Sequence, residues 1–526
     1  MRRNLSCTLA TAMMMSIAVP GAAVSQSRST LPSLETQNAI QSLRTEGRGF
    51  SKETSKQFRE FQVDPSKLPQ TKDKVQLDAQ GQARTPLIVP NTMVLLFEPT
   101  ATKENLESFL KRRNLRILET FPKLGSVKVE ADLSKYFAPE LTDDNANQAL
   151  LRGINRAIED FKKDPIVRSA TPDVVLRSQA EANELGNLMK ASEISALVAT
   201  DNKEAVDWGV NNIEADQLWS LPGAQDGVLF GVMDVGFSRH EDITFLELPG
   251  KVEVADHGNH VAAIGCGRHG NGVGIRGVLP NCFVRARAGD VFFKSVEGGQ
   301  VLGVLVVFSQ ILSTLERFID QYDDIKTFNV SMGYNWRRNF AINPDLPESG
   351  QWRTLVESQG LILVPALELA DKAGKVIFSA AGNDSSGLAT PVGARFASPF
   401  NWAALTAREK GIARNGIVIE AHDPAGKRAA FSNVGGHMSC PGVDVLSAVA
   451  FDSDGKGSPS RYGKMSGTSM ASPYCASAHL LFGLVRPGYS GSEIVDCMLA
   501  SSAKSDTGAP IPKLTQALAK CPARNP

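Results

Sequence analysis

The stretch SGTSMASP, residues Ser466 to Pro473, places three serines around a Gly-Thr pair and leads into an apolar segment, YCASAHLLFGLV. This pattern predicts a turn followed by a helix, with Ser469 at the junction. A serine at a helix start lies beside backbone N–H groups without intrahelical partners and beside the positive end of the helix dipole. Because Ser466 precedes the turn and Ser472 lies a turn inside the helix, Ser469 is the candidate nucleophile.

A serine hydroxyl is a poor nucleophile alone and needs a base, a group that orients the base, and donors for the oxyanion. The stretch ADHGNHVAAIGCG offers His257 and His260 at the predicted start of a second helix. The stretch VLFGVMDVG ends an apolar strand with Asp234, at the end of a strand where parallel sheets place their sites. The two histidines could instead bind a metal ion, but this alternative needs a third ligand, and the HExxH pattern is absent.

The order Asp234, His257, Ser469, in the contexts D-x-G, H-G-x-H and G-T-S-M-A-S-P, resembles that of the subtilisin-like serine proteases, or subtilases. The resemblance implies a serine endopeptidase that hydrolyses polypeptides through an acyl-enzyme, with these three residues as its catalytic triad. It also implies an oxyanion-hole asparagine in SAAGND and a substrate-binding strand in FNVSMG. These residues are Asn383 and the run Ser331, Met332 and Gly333.

The resemblance extends roughly from Trp208 to the C-terminus, and the chain departs from the family pattern at several places. Asn259 replaces the usual threonine of H-G-T-H, and Tyr474 stands where His or Val is common. An insertion around residues 334–371 is expected to reshape the cleft, so the family's substrate preference does not carry over. The loop Arg268–Gly277 lacks carboxylates. We therefore assign no metal site, expect no cofactor for catalysis, and find no clear motif for the structural calcium common there.

Two other classes share parts of this pattern. The related sedolisin proteases have the G-T-S context but use a Glu–Asp pair instead of the histidine, so His257 argues against them. A non-catalytic pseudoprotease that serves as a binding module is expected to have lost a member of the triad, and none is lost.

Beyond Trp208, short apolar segments alternate with helical patterns. The predicted buried strands are GVLFGVMD, FVRARAG, TFNVSMG, KVIFSAAGN and GIVIEAH. Such alternation predicts an α/β fold over residues 208–526, a subtilisin-like parallel sheet with helices on both faces. The run Gln300–Tyr322 is predicted to be one packed helix, because its charged residues argue against a membrane span.

Residues 91–177 follow a β-α-β-β-α-β order, the split unit of small α+β ferredoxin-like domains. This unit resembles the inhibitor-type propeptide domain of subtilases. The resemblance implies that the tail beyond Leu176 lies in the active site and is cut within Ser178 to Asp207, a predicted linker at residues 178–207. An unrelated binding domain of the same topology is the alternative.

The N-terminal end predicts export. Residues 1–25 carry Arg2 and Arg3, an apolar run and then small residues, which is typical of a secretory signal peptide cleaved after Ser25. A secreted or periplasmic protein is therefore expected, and the propeptide resemblance implies that it is made as a zymogen. Residues 26–90 are polar with weak periodicity and are predicted to be a poorly ordered pro-segment.

The charge balance bears on which binding partners are expected. Lys plus Arg equals Asp plus Glu, 56 each, so net charge gives no reason to expect nucleic acid. We expect a monomer that binds polypeptide substrates and its own propeptide.

Without Cys7, six cysteines remain, and six allow 15 pairings. Proximity favours Cys266–Cys282 and Cys497–Cys521, which leaves Cys440–Cys475, unless Cys475 is a buried free thiol.

Overall fold

The computed structural model describes most of the chain beyond residue 87. The described residues are 29–43, 88–136, 146–178, 189–190, 193, 204–234, 237–248, 257–288, 291–294, 301–340, 342–449, 461–500 and 503–524. The predicted signal peptide and most of the predicted linker lie outside these residues.

The N-terminal unit is built on antiparallel strands. They are β1 (Ile88–Phe97), β2 (Arg116–Phe121), β3 (Ser126–Glu130) and β4 (Val167–Ser178), in the sheet order β2-β3-β1-β4. Its helices are α1 (Leu34–Ser42), α2 (Lys103–Arg112) and α3 (Ala146–Lys162). From β1 onward, the order of elements matches the predicted β-α-β-β-α-β unit.

The expectation of poor order for residues 26–90 is wrong for residues 29–43 and for residues 88–90, which begin β1. Ser33 caps α1 by accepting a hydrogen bond from the Thr36 amide, and Ala39 and Ile40 are buried against the core of the N-terminal unit. The polar composition hid this helix because only one narrow face of it is apolar. Residues 44–87 of the same segment lie outside the described residues.

The remaining elements follow in chain order. The strands are β5 (Met189–Lys190), β6 (Ala205–Val206), β7 (Val228–Asp234), β8 (Phe245–Glu247), β9 (Ile275–Arg276), β10 (Cys282–Ala288), β11 (Val291–Lys294), β12 (Val301–Val307), β13 (Ile325–Val330), β14 (Met332–Gly333), β15 (Val376–Ala380), β16 (Gly416–His422), β17 (Met438–Pro441), β18 (Val445–Val449) and β19 (Arg461–Met465). The helices are α4 (Trp208–Asn212), α5 (His257–Cys266), α6 (Phe308–Asp320), α7 (Trp336–Phe340), α8 (Gly350–Lys372), α9 (Pro399–Glu409), α10 (Thr468–Val485), α11 (Gly491–Leu499) and α12 (Leu514–Lys520).

A seven-stranded sheet in the order β17-β16-β15-β13-β7-β10-β8 forms the centre, and its neighbouring strands are all parallel. Successive side chains of a strand point to opposite faces. Phe230 and Val232 therefore pack with Val261 and Met470 of α5 and α10, whereas Met233 packs on the other face with α6 and α8. This two-sided burial confirms the predicted α/β fold with helices on both faces.

The prediction of one helix over Gln300–Tyr322 is wrong in its first third. Residues Val301–Val307 form β12, which pairs with β11 and with the end of β4, and the helix begins at Phe308. An apolar run rich in valine fits either a buried helix or a strand, and strand partners at both edges decide it here.

Three disulfides join parts of the C-terminal unit. They are Cys266–Cys282, Cys440–Cys475 and Cys497–Cys521, which confirms the pairs favoured by proximity and elimination. Cys475 is therefore not a free thiol, and its bond ties α10 to the edge strand β17.

The N-terminal unit packs on α6 and α8. Val94 and Leu96 on one face of its sheet belong to the same apolar cluster as Phe308 and Leu355. Polar contacts border this surface, including the hydrogen bond from the Ser169 hydroxyl to the Ser358 carbonyl at 2.7 Å. A shared core of this kind holds the two units in one fixed orientation.

One half-buried carboxyl makes this contact sensitive to pH. Glu316 on α6 accepts a hydrogen bond from the Lys123 amide at 3.1 Å, and Lys123 also pairs with Asp320. Burial, with the negative charges of Asp320 and Glu119 nearby, raises the pKa of Glu316 from 4.5 to about 7. The hydrogen bond from the Lys123 amide and the positive charge of the Lys123 side chain act in the opposite direction but are outweighed. The neutral form of Glu316 is therefore the form that suits the packed state.

We predict that this packing weakens as pH rises. A carboxyl whose pKa is raised in the packed state stabilises that state fully below pH 4.5. This stabilisation is lost as the pH rises from 4.5 to about 7, and the loss is on the order of 1–3 kcal/mol. The protection factor of the Lys123 amide, corrected for intrinsic exchange, should fall between pH 5 and pH 8. Glu316→Gln should remove most of this pH dependence. An equally steep fall in the variant would contradict the assignment.

Candidate active site

Three neighbouring strands bring the predicted site residues to one edge of the parallel sheet. Asp234 ends β7, Ser331 follows β13, and Asn383 lies just beyond β15. Strand β13 lies between the other two, with Val330 opposite Met233 on one side and Ser379 on the other. Carboxyl ends of parallel strands meet at the same edge, and this edge is where open α/β sheets bind ligands.

Asp234 and His257 form a direct pair. His257 Nδ1 donates to Asp234 Oδ1 at 2.5 Å, and the two residues are 5% and 0% exposed. The other ring nitrogen, Nε2, is buried and has no hydrogen-bond partner in the described part of the chain. A histidine held in this way has a fixed tautomer, which leaves the lone pair of Nε2 available to accept a proton.

The three serines of SGTSMASP have different surroundings. Ser466 Oγ accepts a hydrogen bond from the Asp444 amide at 2.9 Å, and Ser472 Oγ donates to Asn329 Oδ1 at 2.6 Å. Both hydroxyls hold loops or strands in place. Ser469 lies in the first turn of α10, immediately after Thr468, and is fully buried.

A proline shapes the helix turn that carries Ser469. Pro473 lies inside α10 and has no N–H, so the carbonyl four residues earlier, that of Ser469, lacks its usual helical donor. The Ser331 hydroxyl donates to this carbonyl at 3.3 Å. This bond joins the predicted nucleophile segment to the predicted substrate-binding strand.

Thr468 holds the side chain of Asn383. The Thr468 amide and the Thr468 hydroxyl both lie 2.9 Å from Asn383 Oδ1, and the hydroxyl also accepts from the Gly382 amide at 3.0 Å. The side-chain oxygen of Asn383 is thereby fixed by donors on one side, so its NH₂ group is directed away from Thr468. Sequence reasoning did not single out Thr468, although its place beside Ser469 in G-T-S is the signal that could have done so.

The end of β4 occupies the groove beside the candidate site. Ser178 and Arg177 pair antiparallel with Met332 and Gly333 of β14. On the opposite edge, Leu176 and Val175 pair with Val306 and Val307 of β12. The last residues of the N-terminal unit thus form the middle strand of a three-stranded arrangement next to Ser331. The second wall, β12, was missed because its residues were predicted to be helical.

Two departures from the family pattern have local explanations. Asn259 is buried and makes reciprocal hydrogen bonds with Ser238, accepting from its amide at 3.0 Å and donating to its hydroxyl at 3.1 Å. This pair ties the helix that starts at His257 to the loop that follows Asp234. The Tyr474 hydroxyl donates to Asp207 Oδ1 at 2.5 Å, a buried carboxylate that also caps α4.

The alternative of a histidine metal site finds no geometric support. His260 Nε2 donates to the Val445 carbonyl at 3.0 Å, and burial, followed by the nearby His257, lowers the pKa of His260 to about 3. Because Nε2 carries the proton of this hydrogen bond, it has no free lone pair for an ion beside His257. Among the described residues, no group of three or more His, Cys, Asp or Glu side chains is arranged to hold a metal ion.

The comparisons with known proteins agree with this architecture. The family model described as "Subtilase family" matches residues 226–516, which is 291 of 526 residues. The chain therefore belongs to the subtilase family, and it is a serine endopeptidase.

Individual relatives are distant. The chain is 24% identical over 323 residues to an alkaline protease of Alkalihalobacillus alcalophilus, covering 60% of this chain and 69% of that protein. It is 24% identical over 300 residues to subtilisin Savinase of Lederbergia lenta, covering 55% of this chain and 89% of that protein. This chain also resembles the crystal structure of fervidolysin from Fervidobacterium pennivorans, which is described as a keratinolytic enzyme related to subtilisin. The TM-score is 0.51 and the sequence identity is 18%, and the match covers 83% of this chain and 62% of the fervidolysin chain.

Within the described residues, none of the helices combines the length and the apolar character needed to cross a membrane.

Proposed function

We propose that Asp234, His257 and Ser469 are the catalytic triad of this endopeptidase. The observation that carries the proposal is the 2.5 Å hydrogen bond from His257 Nδ1 to Asp234 Oδ1 at the sheet edge that also holds the first turn of α10. His257 Nε2 takes the proton of the Ser469 hydroxyl as its oxygen attacks the peptide carbonyl. The same proton then passes to the leaving amine, and water hydrolyses the acyl-enzyme. Side chains and water supply all groups in this sequence, so the proposed reaction needs no cofactor.

We propose that Asn383 and the first turn of α10 form the oxyanion hole. Because Thr468 fixes Asn383 Oδ1, the Asn383 NH₂ group is pre-oriented before substrate arrives. Preorganised donors of this kind stabilise the negative charge that develops on the carbonyl oxygen, and losing one typically costs roughly 100- to 1000-fold in kcat.

We propose that the enzyme is made as a zymogen inhibited by its own N-terminal unit. The end of β4 lies between β12 and Met332–Gly333, and an extended substrate would pair with the same backbone groups. Because β4 ends at Ser178 beside Ser331, the self-cleavage site is expected at or directly after Ser178.

Export follows from the N-terminal sequence. The signal pattern of residues 1–25 and the three disulfides both fit an oxidising compartment outside the cytosol. We therefore propose a secreted or periplasmic enzyme that acts as a monomer on polypeptide substrates.

The first test is self-maturation. Residues 26–526 are expressed as wild type and as Ser469→Ala, and their intact masses are compared after incubation. The wild type should divide into two fragments at or directly after Ser178, because only it has the nucleophile, and Ser469→Ala should stay whole. Ser466→Ala and Ser472→Ala are the matched controls and should still be cut. Cleavage of Ser469→Ala at the wild-type rate would contradict the proposed nucleophile.

A second prediction concerns Thr468 as a positioning residue. Thr468→Val keeps the shape of the side chain but removes the hydroxyl that donates to Asn383, so kcat on a peptide substrate should fall about tenfold with little change in KM. Thr468→Ser restores the hydroxyl and should recover most of the activity. Equal losses in the two variants, or a change in KM alone, would show that Thr468 does not act through Asn383.

A further inference from the structure

A short segment before α1 bridges the two units through contacts with α8. Ser29 Oγ donates to Glu368 Oε1 at 2.5 Å, and the Thr30 amide and hydroxyl donate to Oε2 at 2.8 and 2.7 Å. Lys372, one turn further along α8, donates to Oε1 at 3.0 Å. All these donors meet one buried carboxylate of the catalytic unit, which is 5% exposed.

The charge of Glu368 depends on these bonds. Burial alone would raise the pKa of Glu368, but the hydrogen bonds from Ser29 and Thr30, with that from Lys372, outweigh it and hold the pKa below its usual value. Hydrogen bonds to an ionised acceptor are stronger than those between neutral groups. Glu368 is therefore a built receptor for this Ser-Thr pair.

The rest of the segment is bound to the N-terminal unit. The Ser33 amide donates to the Pro99 carbonyl at 2.8 Å, and the Thr36 hydroxyl lies 2.8 Å from that carbonyl and 2.9 Å from that of Ala101. Arg168 on β4 donates to the Thr30 carbonyl at 3.2 Å. Residues 31–43 are thus bound to the N-terminal unit, whereas the hydrogen-bond donors of residues 29–30 bind the catalytic unit.

This arrangement gives the N-terminal unit a second attachment along α8. The Ser169 hydroxyl binds Ser358 near the middle of that helix, and Glu368 lies ten residues further on, about 15 Å along the axis. Neither contact involves the cleft strand at residues 175–178. Cutting the chain after Ser178 therefore leaves both attachments in place.

We propose that residues 29–43 are a latch that keeps the cleaved pro-region on the enzyme through Glu368. The binding surface is the C-terminal part of α8, and its partner is the Ser29–Thr30 pair of the same chain. The proposal rests on the proposed zymogen function. Self-cleavage alone does not release the enzyme, and active enzyme appears only when the latch dissociates from Glu368. The predicted signal cleavage after Ser25 retains this pair as part of the exported chain.

The test follows release after self-cleavage of the chain 26–526. The first variant is Glu368→Gln, which replaces one accepting oxygen by an NH₂ group that faces the donors of Ser29 and Thr30. The second is the double variant Ser29→Ala/Thr30→Val, which removes the two hydroxyl donors. Glu357→Gln, an exposed change on the same helix, is the matched control. Intact mass gives the cleavage rate, and size-exclusion chromatography together with hydrolysis of a chromogenic peptide gives the release rate.

If residues 29–43 act as a latch, the cleavage rate should be unchanged in both test variants. Release of the pro-region should be at least about tenfold faster in both, and Glu357→Gln should behave like the wild type. The combined variant should be no faster than the faster of the two, because they remove one interaction. Once released, the enzyme from the Ser29→Ala/Thr30→Val chain has the wild-type sequence, so a shorter lag in that variant cannot come from a damaged catalytic unit. Release at the wild-type rate in both variants would overturn the latch.

Failure of the zymogen proposal gives a different result. A wild-type chain that stays uncut would contradict the proposed function, and the latch is then judged in that uncut chain by hydrogen exchange of residues 29–43. Faster exchange in Glu368→Gln but not in Glu357→Gln supports the latch, and equal exchange overturns it.

Discussion

The rest of the site depends on the short hydrogen bond between Asp234 and His257. Its two partners come from different elements, the end of a buried parallel strand and the first residue of a helix, and the sheet edge brings them within 2.5 Å. The Asn259–Ser238 pair ties the same two elements a second time. Ser469 and Asn383 contribute to the proposed chemistry only in relation to this pair, because the histidine needs a fixed tautomer before it can accept a proton.

The two faces of the central sheet carry different tasks. Helices α5 and α10 pack on one face, and they begin at His257 and at Thr468, so they carry the proposed base and the proposed nucleophile. On the other face pack α6 and α8, which share a core with the N-terminal unit and hold Glu316 and Glu368. One sheet therefore positions the proposed catalytic groups, and the helices on its other face form the surface to which the proposed inhibitor binds.

Much of this architecture follows from sequence because its signals are local. Strand ends, helix starts and the G-T-S turn lie within a few residues of Asp234, His257 and Ser469, and the apolar strands are separated by clear helical patterns. The errors arose where long-range contacts decide the structure. Residues Val301–Val307 are a strand because β4 and β11 lie beside them, and residues 29–43 are ordered because the N-terminal unit and Glu368 bind them. Asn383 and Thr468 are likewise 85 positions apart in the sequence, and Thr30 and Glu368 are 338 positions apart. No local sequence pattern indicates such contacts.

The most direct test of the central claim is to map covalent labelling by a serine-directed fluorophosphonate. The chain is labelled after self-maturation, or after removal of the pro-region, and the modified peptide is identified by mass spectrometry in the wild type and in Asp234→Asn. We expect the label on Ser469, not on Ser466 or Ser472. We also expect labelling slower by roughly 1,000- to 10,000-fold in Asp234→Asn, because His257 loses its tautomer. Label on another serine, or equal labelling rates in the two proteins, would show that Ser469 is not activated by the Asp234–His257 pair.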